Sequence, residues 1–160
     1  MNQLSISIQV AIGQWDQQVN RTTRLLEQLT DEALTKQIAP GKNSGTYIIG
    51  HLIAIDDAIL QILGIGEPKH SELFESYVKQ PDSAVSNTKT VQELRSLWTE
   101  THDRVTNLIK SLPEEDWFKR HAAMTDEDFE ANPLRNRLSV LLNRTNHIAY
   151  HLGQLRLLVS

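Results

Sequence analysis

Apolar residues recur at alternating spacings of four and three along four separate stretches of this 160-residue chain, a period that only helices use. In the first stretch Ile8, Ile12, Trp15, Val19, Thr22, Leu26 and Leu29 share one face, which predicts a helix over residues 4–29. The polar run Ala39–Gly45 breaks the pattern, and a strongly apolar second helix follows from Thr46 to Leu63, where Gly64 and Gly66 end it. Thr90-Val-Gln-Glu93 reads as a capping box in front of Leu94, Leu97, Trp98, Thr101, Val105, Leu108 and Leu112, the third helix. Pro133 suits a first helical turn, so the fourth helix is expected to carry Leu134, Leu138, Leu141, Thr145, Ile148, Leu152 and Leu155 and to run nearly to Ser160. Between helices two and three lies a long connection with Pro68 and Pro81, in which Leu73, Phe74, Tyr77 and Val78 suit a short helix laid over the bundle. Residues 113–132 are charged and irregular. The expectation is a single all-α domain over residues 1–160, a four-helix bundle with a long crossover between its second and third helices. A short echo, Leu29-Thr-Asp-Glu-Ala-Leu34 against Leu112-Pro-Glu-Glu-Asp-Trp117, precedes each histidine-bearing helix and hints at two related helix pairs.

Composition narrows the function. A net charge of -4, with no cluster of Lys and Arg among aromatics, gives no face for a phosphate backbone, so nucleic acid is not an expected partner. The absence of Cys rules out a thiolate nucleophile and a Cys-type zinc site, leaving histidines and carboxylates for any transition metal. The first residues lack the basic and apolar regions of a signal peptide, and no run approaches the length of a membrane span, so a cytoplasmic location without a membrane partner is the default.

His147 and His151 stand four apart on the fourth helix, where their side chains share a face and can reach one ion. Alone the pair is weak, since chance produces one in about one chain in six. His51 strengthens it: this histidine sits in Tyr47-Ile-Ile-Gly-His-Leu-Ile-Ala-Ile55, too apolar for a solvated helix, and needs a partner. Three neutral imidazoles would leave a divalent ion its full charge and an open position, the arrangement of catalytic sites. Zinc, nickel, copper, iron or manganese are the candidates. Helical spacing puts Tyr47, Asn143 and Gln154 near the histidine line. His70 and His121, in polar segments, are expected to be solvated, and His102 stands beside the third stripe. Asp56 and Asp57, five and six positions after His51, point away from its face, so no protein base is named.

The string His147-Ile-Ala-Tyr-His-Leu-Gly-Gln154, with Ser44-Gly-Thr-Tyr-Ile-Ile-Gly-His51-Leu on the second helix, resembles the DinB-like superfamily, and the order of helices and loops is similar over the whole chain. The resemblance implies an up-down-down-up bundle, often dimeric, with a divalent metal on His51, His147 and His151 in a pocket at one end. It also implies chemistry of the kind its better-understood members perform, transfer of a low-molecular-weight thiol or metal-dependent hydrolysis of a small molecule, although fold alone does not choose the reaction. The first expectation is therefore a metal-dependent S-transferase or hydrolase of a small substrate. The second is a non-catalytic, stress-related bundle whose metal is structural or vestigial, and the third a plain bundle whose histidines satisfy one another.

Overall fold

The computed structural model describes residues 2–85 and 89–159, and among them the chain is helical with no strand. Four long helices carry the core: α1 (Gln3–Gln28), α3 (Gly45–Leu63), α5 (Val91–Ser111) and α7 (Arg137–Leu155). Three shorter ones, α2 (Asp31–Thr35), α4 (Glu72–Phe74) and α6 (Asp126–Ala131), lie in the connections. Each long helix starts where a polar side chain takes an otherwise orphan amide. Asn2 accepts from the Ser5 amide at 2.8 Å, Ser44 from Tyr47 at 3.2 Å and Asn136 from Ser139 at 3.0 Å, while Thr90 and Glu93 form the reciprocal capping box. Gly64 ends α3 at φ +69°, a left-handed conformation that costs glycine little.

The α1 stripe is buried from Ile8 to Leu29 apart from the half-buried Val19, and α1 packs against α7 and α5. α3 packs against α5 and α7 and is apolar nearly all round, as a helix enclosed by others must be. Among the described residues, α3 is the one helix long and apolar enough to span a bilayer, contrary to the reading that no run comes near it. Yet 67% of its apolar window is buried within the protein. Two indole N–H groups tie helices together inside the core, Trp15 donating to Thr106 Oγ1 and Trp98 to Thr23 Oγ1, both at 2.9 Å.

The expected short helix of the crossover is present as α4, which continues into one π-helical turn, Glu75–Lys79, and both pack on α3. Two expectations fail at α7. Pro133 and Leu134 lie outside the helix, and Leu134 is 79% exposed. The Arg135 amide donates to the Asn132 carbonyl at 3.1 Å, closing a turn with Pro133 in its second position, and Asn136 then caps the helix. At its other end the helix tightens into a single 3₁₀ turn, Arg156–Leu158. The echo between the halves has a structural counterpart. Leu34 and Trp117 are both fully buried, and an isolated backbone bridge, Gln37 to Ser44 in one half and Arg120 to Asn136 in the other, precedes α3 and α7.

Candidate metal centre

α3 and α7 lie side by side and bring the three histidines to one point. His147 Nε2 is 3.2 Å from His51 Nε2 and 3.1 Å from His151 Nε2. For two of the rings, what the other nitrogen does fixes the role. His51 Nδ1 lies 2.9 Å from the Tyr77 carbonyl, which can only accept, so Nδ1 carries the proton and Nε2 keeps its lone pair. His151 Nδ1 donates in the same way to Gln154 Oε1 at 2.7 Å, and the Gln154 amide in turn donates to the Tyr150 hydroxyl at 3.0 Å. Such outer partners orient metal-bound imidazoles and fix their tautomer. Burial pushes the His151 ring down to about 4, against the raising effect of its Gln154 hydrogen bond. His147 is lowered too, by burial first, with the Asp56 carboxylate opposing. At neutral pH both rings are thus in the unprotonated form a metal requires.

The Nε2 lone pairs of His51 and His151 both face His147 Nε2, and His147 Nδ1 is buried with no hydrogen-bond partner, so His147 can turn either an N–H or a lone pair toward them; with its lone pair presented, the three form a set of metal donors. Bonds of about 2.0–2.1 Å in tetrahedral geometry hold imidazole nitrogens about 3.3 Å apart. The observed separations of 3.1 and 3.2 Å fit that donor set.

Of the other expected neighbours, the structure brings Tyr47 and Gln154 to the triad. The Tyr47 ring stacks on His51 with centroids 6.5 Å apart, and its hydroxyl donates to the Gln80 carbonyl. Tyr47, His51 and His151 line a cavity of about 190 Å³ together with Asn43, Ile48 and Val78. Asn143 is exposed and outside that lining. Trp15 and Trp98 are core residues. Tyr77 reaches the site through its main chain, which no side-chain pattern announces, and its hydroxyl accepts from the Lys89 amide at 2.9 Å. Gly50 permits this: a Cβ there would strike the Tyr77 ring.

The remaining histidines divide differently from expectation. His121 is buried rather than solvated, because the 113–124 segment folds over the end of α3, with the Ala122 amide donating to the Ile62 carbonyl at 2.8 Å. His70 is half-buried. His102 stays out of the triad and pairs in the core with Asp56, Nε2 to Oδ2 at 3.0 Å, while its Nδ1 donates to the Trp98 carbonyl at 2.9 Å. Asp57 is held by Arg104 and by the His70 amide. Both aspartates turn away from the His51 face, as their spacing implied.

A family model described as the DinB superfamily matches residues 14–155, a span containing all three histidines and the four long helices but for the start of α1. The chain belongs to the DinB superfamily. No curated protein matches it. For a DinB-superfamily chain with this donor set, the outer partners carry a measurable consequence. Replacing Gln154 with Leu removes the acceptor of the His151 N–H, and zinc affinity should fall about 10–100-fold while the fold is kept. Competitive titration against a chromophoric chelator measures it, and unchanged affinity would show that Gln154 does not orient the ligand.

Proposed function

We propose that this protein is a divalent-metal-dependent enzyme that activates a thiol or a water against a small electrophilic substrate, as a thiol S-transferase or a hydrolase. The observation that carries this reading is the convergence of three Nε2 atoms, two of them on rings whose Nδ1–H is already held by Tyr77 and Gln154. Zinc or nickel suits three imidazoles best, with iron or manganese as alternatives. When bound, such an ion acts as a Lewis acid that makes a coordinated thiol or water nucleophilic near neutral pH. His51, His147 and His151 hold it and leave a coordination position open, and Tyr47, Ile48 and Val78 wall the adjoining cavity. The proposed architecture is the up-down-down-up bundle. In support, the contacts Trp15–Thr106 and Thr23–Trp98 run in opposite senses along α1 and α5, whereas Asp56–His102 and Asp57–Arg104 run in the same sense along α3 and α5.

A second reading, a structural metal in a non-catalytic module, is favoured by one observation: the Tyr47 hydroxyl and the Gln154 amide oxygen beside the triad are already engaged, with Gln80 and with His151. Activity separates the two. The zinc- or nickel-loaded protein is expected to consume a low-molecular-weight thiol with an aryl halide or to hydrolyse an activated ester. His151→Ala should lower that rate at least about a hundredfold. Equal turnover by the variant, or no turnover with a melting temperature that still depends on metal, would favour the structural reading.

A further inference from the structure

A second and larger cavity, about 490 Å³, lies on the other side of the triad, between α3 and the α4–π turn. It is within the range of small-molecule sites. Its floor continues the His51 face of α3: Ile55, Ala58 and Ile62 follow His51 at four, seven and eleven positions, which is one stripe of the helix. Ala54 and Phe74 add to that apolar surface.

The charges around it do not balance. Glu75 and Lys79 pair across one turn at 2.9 Å and cancel. Arg144, one turn before His147 on α7, is left over. Its Nε is buried without a hydrogen-bond partner, and no salt bridge among the described residues uses it. A half-buried guanidinium beside an apolar floor is short of one anion, and its planar fork suits a carboxylate.

We propose that this cavity is a second ligand pocket, separate from the smaller cavity that His51 and His151 line, and that it takes a small organic carboxylate with its anionic head on Arg144 and its apolar body on Ala54, Ile55, Ala58, Ile62 and Phe74. The inference rests on the cavity and Arg144 and not on the metal-enzyme reading. One cation argues for a monoanion over a phosphate dianion, and the stripe gives the body a direction along α3 away from His51.

The test uses calorimetric titration of the full chain with octanoate, octan-1-ol and octylammonium, with and without zinc. Octanoate is expected to bind about tenfold or more tightly than either of the others, in the metal-free protein as well as the loaded one. Arg144→Gln should remove that preference, leaving octanol binding and stoichiometric zinc intact, and Ala58→Trp should abolish binding of all three. Circular dichroism and melting curves establish that each variant is folded. Equal binding of the three probes, an octanoate preference that survives Arg144→Gln, or one that exists only with zinc would overturn the assignment. None of those outcomes touches the triad, whose own variants test the metal chemistry separately.

Discussion

Substituting His147 with alanine is expected to abolish stoichiometric metal binding. Its Nε2 is the one within 3.2 Å of both other rings, so its loss leaves only two imidazole donors, one from α3 and one from α7. The affinity loss should exceed the roughly hundredfold upper range seen for loss of an outer partner. Elemental analysis of protein loaded with one equivalent of zinc should give about one ion per native chain and a trace for the variant. Stability reports the same event. If the triad binds zinc, zinc at a hundred times its dissociation constant should stabilise the native chain by about 2.7 kcal/mol. For a chain of this size that raises the melting temperature by about 5–11 °C, a rise the variant should not show. Full zinc content in His147→Ala would remove the triad as the metal centre.

Asp56→Ala should be the most destabilising single change in the core. Asp56 is 0% and His102 2% exposed, and each is the other's side-chain partner. The ring is further confined by Trp98, with centroids 3.7 Å apart. Removing the carboxylate leaves a buried imidazole nitrogen without a partner, a change that costs about 3–5 kcal/mol. The melting temperature should fall by about 6–20 °C, and the urea midpoint should shift at constant slope. Replacing both residues with leucine should recover much of the loss, since an apolar pair leaves nothing unpaired. A loss under about 1 kcal/mol for Asp56→Ala would mean that the pair contributes little.

The four long helices were legible because each announces itself twice, by a period and by a cap: Thr90 and Glu93 are the clearest instance. Where only one signal was read, the boundary moved. Pro133 resembles a first helical position, but Asn136 three residues later supplies the cap, and Leu134 is left in solvent. The three histidines were readable from spacing and from the apolar setting of His51. Their supports were less so. Gln154 lies within reach by helical geometry, whereas the Tyr77 carbonyl comes from a connection whose path depends on tertiary packing. His121 reads as solvated because its neighbours are polar, and burial comes to it from the loop folded against the end of α3. The Asp56–His102 pair left a trace, an acid inside an apolar helix and a histidine beside Thr101, but pairing across 46 positions is not a local property. Arg144 left none, since an arginine on a helix reads as surface until the cavity beside it is seen.

Tyr77 is occupied at both ends: its carbonyl takes the proton side of His51, and its hydroxyl takes the Lys89 amide immediately before the cap of α5. The residue is a strut between a triad histidine and the entry to the next long helix. The path of the crossover is thereby gauged against the triad's own scaffold, so that a shift of the chain at Tyr77 is felt at once by the His51 ring and by the start of α5.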